Sequence, residues 1–238
     1  MNFNNFIKKL NSNRTPLLAV LIDPDKFNKE LIIIANKTKV SCFLVGGSKL
    51  HNSDITKTVK TIKKLSKIPV ILFPGDKTQL CKHADGLLLL SLVSGNNPDY
   101  LIGKHIKAAP VIKKTALPHL PTAYILIDGG KISTTQQVTK TEPINSKNET
   151  LIINTCIASQ QLGFKAIYLE AGSGANYSIS AKLIKKIKKQ ISIPIIVGGG
   201  ISTSKKTKQL INSGANMLVI GNILEKDVYL LPKINMCF

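Results

Sequence analysis

The chain has 238 residues, with 33 Lys+Arg against 13 Asp+Glu and a formal net charge of +20. A 43% hydrophobic fraction excludes a disordered chain despite that charge, because disorder needs low hydrophobicity as well. No apolar run approaches the ~20 residues of a membrane-spanning helix, and the four scattered cysteines carry no CxxC pair that would suggest a zinc site or a disulfide framework.

The N-terminal stretch MNFNNFIKKLNSNR lacks an apolar h-region, so no secretory leader is expected and a cytoplasmic location is. Short apolar runs then follow at residues 17–22, 42–45, 70–73, 86–90, 124–127, 166–169, 195–197 and 217–220. They are uninterrupted rather than alternating, as in parallel strands covered on both faces. Helical patterns lie between them at 54–66, 149–162, 178–190 and 203–213. The third is the clearest, with Ile179, Leu183, Ile184 and Ile187 on one stripe. Eight strands alternating with helices predict a single-domain α/β fold, a (β/α)8 TIM barrel, with an open doubly wound sheet as the alternative. Two intervals break the pattern. Residues 73–85 barely fit a full crossover helix, so a short turn or irregular segment is expected there, and residues 128–148 form a long polar stretch of the kind that serves as a lid or binding loop.

In such a barrel the site is built from loops after the strands. Those loops here read Asp23-Pro24-Asp25-Lys26, Gly46-Gly47-Ser48, Pro74-Gly75-Asp76, Asp128-Gly129-Gly130, 170–175, 198–200 and Gly221-Asn222. Gly199, Gly200, Gly221 and Asn222 follow the last two strands, where backbone N–H groups commonly hold a phosphate. Gly172, Ser173 and Gly174 could hold the rest of a small polyol phosphate. The plainer alternative is that these glycines only close tight turns. Asp23 and Ser48 end adjacent strands and offer a carboxylate and a hydroxyl to Mg²⁺. Alternatively Asp23 caps the next helix, although Asp25 lies nearer its start. Glu170, beside Tyr168, could accept a hydroxyl proton or be a buried hydrogen-bond partner. His51, His83, His105 and His119 have no metal-ligand spacing and read as non-catalytic.

The segments LIDPDK (21–26), FLVGGS (43–48), ILFPGD (71–76), SLVSGNNPDYLIG (91–103), AYILIDGGK (123–131), IYLEAGSGA (167–175), IPIIVGGGI (193–201) and GANMLVIGN (214–222) together cover most of the chain. In that order they resemble the geranylgeranylglyceryl phosphate synthase family, which includes the heptaprenylglyceryl phosphate synthases. The resemblance implies a modified barrel whose third helix is replaced by irregular chain. It also implies an Mg²⁺-dependent transfer of a prenyl group from its diphosphate to the 3-hydroxyl of sn-glycerol 1-phosphate. It puts Mg²⁺ on Asp23 and Ser48. Glycerol-phosphate contacts fall on Tyr168, Leu169, Glu170, Ala171, Gly172, Ser173, Gly174, Gly199, Gly200, Gly221 and Asn222. The chemistry of that reaction, rather than the resemblance, suggests catalytic roles for Glu170 as proton acceptor, Tyr168 in orienting the hydroxyl, and Lys26 near the diphosphate. Tyr100 stands where the family sets prenyl length, and a bulky residue there favours the C20 donor. Ala171 likewise matches the geranylgeranyl-type pattern. Members of the family are dimers or larger homo-oligomers.

Two rival readings remain. Another phosphate-handling barrel enzyme would share the late loops but has no need of an apolar groove. A nucleic-acid-binding protein would explain +20, yet the chain has no recognition motif, only 5% aromatics and no Trp, so no specific nucleic acid is expected. Lys185, Lys186, Lys188 and Lys189 read as a solvated face, suited to an anionic membrane surface or reflecting compositional drift. The tail after Glu225 is short, and a final amphipathic helix there is expected to be abbreviated.

Overall fold

Each apolar run becomes a strand hydrogen-bonded in parallel to the next in a computed structural model that describes residues 2–12, 15–51 and 53–238. The strands are β1 (Leu17–Ile22), β2 (Val40–Val45), β3 (Val70–Leu72), β4 (Gly86–Leu92), β5 (His119–Leu126), β6 (Ala166–Glu170), β7 (Ile195–Gly198) and β8 (Met217–Ile220). β8 returns to β1 through Leu17↔Met217 and Val20↔Ile220, which closes the barrel. Alternation along each strand sends Ala19, Cys42, Leu44, Ile71, Leu88, Tyr168 and Ile196 inward. Their neighbours Val20, Phe43, Val45, Leu72, Leu87, Leu169 and Val197 pack outward beneath the helices. Both faces are therefore dry, which is why the runs are unbroken.

The N-terminal helix α1 (Phe3–Asn11) buries Phe3, Phe6 and Leu10, spaced three and four apart, against the barrel interior. Phe3 lies so close to Gly86 at the start of β4 that a Cβ there would sit 2.0 Å from its ring. Asn216, just before β8, donates to the Leu10 carbonyl at 3.1 Å. The helix thus plugs the end of the barrel where the strands begin and leaves the opposite mouth for the site.

Helix α2 (Lys29–Ala35) follows β1 and helix α3 (Ile55–Leu65) follows β2. The β3–β4 connection holds only a single 3-10 turn, Lys77–Gln79, so the third barrel helix is missing as expected. β4 leads through a π-helical turn, Asp99–Gly103, into α4 (Lys104–Thr115). The long polar stretch 128–148 is more ordered than a plain loop. It contains α5 (Thr134–Thr139), capped by Ser133, and Ile144 bridges in parallel to Ile127. The polar composition hid this element because a six-residue helix has too few positions for an apolar stripe. Helices α6 (Glu149–Gln161), α7 (Ala181–Lys188), α8 (Ser204–Asn212), α9 (Asn222–Lys226) and α10 (Leu230–Asn235) complete the chain. The last is short, yet Leu231 and Ile234 are fully buried. On α7, Lys185, Lys186 and Lys189 are exposed, but Lys188 is half-buried and donates to Asn216 at 3.1 Å, so it does not belong to the solvated face.

Candidate active site

The alternation along β6 sorts the predicted substrate contacts. Tyr168 and Glu170 point into the barrel mouth, whereas Leu169 and Ala171 point into the outer core and can offer only backbone. Glu170 is buried, and one of its oxygens accepts from the Gly172 N–H at 2.7 Å. That bond gives Gly172 a positioning role behind Glu170 rather than a place on the cavity wall. Burial pushes the Glu170 carboxyl up to about 7, while the Gly172 N–H and the nearby Tyr168 hydroxyl pull the other way. A carboxylate tuned close to neutrality suits a proton acceptor. The Tyr168 hydroxyl is fully buried and makes no hydrogen bond of good geometry among the described residues. An unpartnered donor beside a carboxylate is a place for a substrate hydroxyl.

Around this pair lie Ser173, Gly174, Gly199, Gly200, Gly221 and Asn222, which line one open cleft of about 1420 Å³. Gly199 has φ +79°, and a Cβ on it would come within 2.5 Å of a Glu170 oxygen, so no other residue fits there. Ser173 Oγ donates to Asn222 Oδ1 at 2.8 Å and joins the β6 and β8 loops across the cleft.

Asp23 and Ser48 line the same cleft on its far side. Asp23 Oδ1 accepts from the Asp25 N–H at 3.0 Å, so Asp23 does cap the 3-10 turn Pro24–Lys26. Asp25 caps no helix: its Oδ2 accepts from the His51 N–H at 2.8 Å, and Asn28 caps α2. Only one oxygen of Asp23 is used in the cap. Burial raises its pKa, with the Asp25 N–H and then Lys26 working against that rise. Ser48 Oγ lies 3.1 Å from Thr135 Oγ1. One carboxylate and one hydroxyl are hard donors that fit Mg²⁺, an ion that takes much of its octahedron from water and substrate. No cluster of three His, Cys, Asp or Glu side chains able to hold a metal by itself occurs among the described residues. Lys26, expected at the diphosphate, forms an ion pair with Glu225 at 2.8 Å, tying the β1 loop to α9. Lys49 and Lys226 also line the cleft, and sequence reasoning had not singled them out.

A second cavity runs from the mouth over the end of β4 toward α4. Its walls include Leu87, Leu89, Leu90, Leu92, Ala108 and Ile112. Tyr100, in the π-helical turn, lines it and donates to the Val138 carbonyl at 3.2 Å. The Lys104 ammonium sits 4.3 Å from the Tyr100 ring centroid and donates to Gly75 O at 2.9 Å and Asp76 Oδ2 at 3.1 Å. His105 also lines this groove, bonded to Ser91 at 2.8 Å, away from the carboxylates.

The polar cleft and the apolar groove share Gly47, Ser48, Phe73, Tyr124 and Thr135. The two cavities adjoin along these walls and together make an amphipathic channel. Phe73, Tyr124 and Tyr168 cluster at the junction, with ring centroids 5.2 Å apart for Phe73–Tyr168 and Tyr124–Tyr168. Sequence reasoning missed Phe73, Tyr124 and Thr135. The first two lie within unbroken apolar runs that do not reveal which face a residue takes, and Thr135 lies in the stretch read as a loop.

The PcrB family model matches residues 11–235. The chain belongs to the PcrB family. Relatives within reach of this PcrB-family chain include the geranylgeranylglyceryl phosphate synthase of Zunongwangia profunda, 45% identical over 90% of this chain and 92% of that protein. The protein of the same name from Methanosphaera stadtmanae is 36% identical over 96% of both. Among solved structures, (S)-3-O-geranylgeranylglyceryl phosphate synthase from Thermoplasma acidophilum in complex with substrate sn-glycerol-1-phosphate superposes with TM-score 0.90. It is 28% identical, covering 99% of this chain and 96% of that one. The thiamine phosphate pyrophosphorylase of Pyrococcus furiosus, 16% identical with TM-score 0.57, shares the fold alone.

Proposed function

We infer that this PcrB-family chain is a prenyltransferase that joins the 3-hydroxyl of sn-glycerol 1-phosphate to a prenyl diphosphate, forming an ether and releasing diphosphate. The observation that carries this reading is the amphipathic channel: a polar, glycine-walled cleft around Glu170 adjoins an apolar groove along five shared wall residues. A sugar-phosphate barrel enzyme would need the first end only.

In this reading the late-loop glycines, Ser173 and Asn222 hold the glycerol phosphate. Tyr168 orients the 3-hydroxyl, and Glu170 accepts its proton as the oxygen attacks. Lys49 and Lys226 draw the diphosphate to the mouth, with Lys26 held beside it by Glu225. Asp23 and Ser48 would hold Mg²⁺, which when bound supplies positive charge to stabilise the leaving diphosphate. Tyr100 bounds the groove and favours the geranylgeranyl donor over longer ones. The same reading carries a cytoplasmic location and assembly as a homo-oligomer.

The test is direct. Purified protein is incubated with Mg²⁺, sn-glycerol 1-phosphate and prenyl diphosphates from C15 to C35, and products are identified by mass spectrometry. An ether product that forms best with the C20 donor is expected. No ether product from any donor refutes the assignment.

A further inference from the structure

Of the three rings at the junction, Phe73 and Tyr124 have no task so far. They are 9% and 7% exposed and line the channel, so the little surface they keep faces it, whereas Tyr168 is fully buried. Phe73 and Tyr124 both line the polar cleft and the apolar groove. Their ring centroids are 6.1 Å apart, and each is within 5.2 Å of Tyr168 behind them. Deeper in the barrel the inward strand positions carry no rings, among them Leu44, Ile71, Leu88, Ala166 and Ile196, and aromatic rings return only with Phe3 and Phe6 of α1 at the closed end. Packing alone is satisfied by such residues, so the switch to aromatic rings coincides with the mouth.

Resting on the prenyltransfer reading above, we propose that Phe73 and Tyr124 are catalytic residues whose ring faces stabilise the allylic cation formed from the prenyl donor. The placement follows from the channel. The hydrocarbon tail lies in the groove and the attacked hydroxyl lies at Glu170, so the reacting carbon sits where the two cavities overlap, against these rings. As the bond between C1 and the diphosphate oxygen breaks, its electron pair leaves with the diphosphate and positive charge spreads over the allyl carbons. The glycerol oxygen then gives a lone pair to C1, and its proton passes to Glu170. The negative ring face attracts a cation within about 6 Å of its centroid, and most strongly when the cation has no water shell to lose.

The test alters the ring face without altering its shape. Phe73 is replaced in the full-length chain by phenylalanines carrying one, two and three ring fluorines, which progressively weaken the ring quadrupole. The single-turnover rate of ether formation should fall stepwise, by about tenfold or more across the series. The KM for the prenyl donor and the melting temperature should change little. Phe73→Leu should lose a similar factor, and Phe73→Tyr should recover most of it. A flat rate across the fluorinated series, with the unmodified protein active, overturns this inference alone. Absence of ether product from the unmodified protein overturns both it and the prenyltransfer reading.

Discussion

Glu170→Gln separates the chemistry of this site from its stability. In the unfolded chain the carboxyl gives up its proton near 4.5, whereas in the fold it keeps it up to about 7. Between those values the folded state binds more protons than the unfolded one, so this group's contribution to stability falls as pH rises. Below about 4.5 both states are protonated and the penalty vanishes; above about 7 it is fully present. That displacement corresponds to ~3 kcal/mol for burying the charge. Glutamine keeps the shape and the oxygen that accepts the Gly172 N–H, and removes the charge. Its amide group needs an acceptor of its own, for which the Tyr168 hydroxyl is available, so the net gain is on the order of 1–3 kcal/mol.

The variant should therefore melt at the same temperature as the parent near pH 4.5 and higher at pH 8. For a chain of this size each kcal/mol is worth about 2–4 °C. Its turnover should fall by about 10²–10⁴, the usual contribution of a positioned base. Glycerol-phosphate affinity should stay close to normal. The parent's activity should rise with pH through about 7 as the carboxylate forms, and the variant should lack that limb. Melting curves at the two pH values and a pH–rate profile give the answer. Near-normal turnover of Glu170→Gln, or no stabilisation at pH 8, refutes the reasoning.

Tyr100→Ala should lengthen the groove and admit C25–C35 donors that the parent excludes, as a product-length assay with mixed donors would show; unchanged selectivity removes Tyr100 from the length filter. The same change deletes the bond to Val138 and the ring under Lys104, costing about 1–3 kcal/mol in a denaturant titration. Asp23→Ala should raise the Mg²⁺ concentration needed for half-maximal activity at least tenfold, while losing about 1 kcal/mol for the 3-10 cap. Equal Mg²⁺ dependence in the two proteins would remove Asp23 from the metal site. Gln79→Leu should leave the Gly47 N–H and carbonyl without partners, destabilise the chain by roughly 2–4 kcal/mol and weaken the same Mg²⁺ dependence through Ser48.

What the sequence made legible follows from locality. Strands appeared as apolar runs because a parallel barrel is dry on both faces, and the missing third helix appeared as an interval that barely fits one. The same dryness hid the inner face, so Tyr124 and Phe73 looked no different from their neighbours. Glu170, with Tyr168 beside it, was found because it is the carboxylate at the end of an apolar run, where a barrel strand delivers its last residue to the mouth. Long-range pairing was invisible: Lys26 meets Glu225, 199 positions away. Capping was misassigned between Asp25 and Asn28 because several good capping residues fall within one short loop, and backbone geometry decides among them. The +20 charge pointed toward nucleic acid, but the fold puts only a few lysines at the mouth and many on exposed helix faces.

The irregular third unit and the apolar groove are two views of one departure from the regular barrel. A crossover helix between β3 and β4 would lie across the outer face of β4, on Leu87 and Leu89. With only the turn Lys77–Gln79 there, those two leucines become groove wall, continuous over the strand end with Leu90 and Leu92 on the inner side. Removing a helix would ordinarily leave the loops above it unsupported. Here Gln79 is 2% exposed and clamps Gly47 through both its N–H and its carbonyl, at 3.1 and 2.8 Å. Gly75 lies so near Gly47 and Ser48 that a Cβ would meet their carbonyls at 2.6 Å. Lys104 then reaches from α4 to Gly75 and Asp76 and closes the outer side. The chain that replaces the helix thus holds Ser48 in place on one side and opens the apolar groove on the other. In the proposed reaction a long apolar tail and a phosphate-bearing alcohol would meet in one barrel because the third helix is absent.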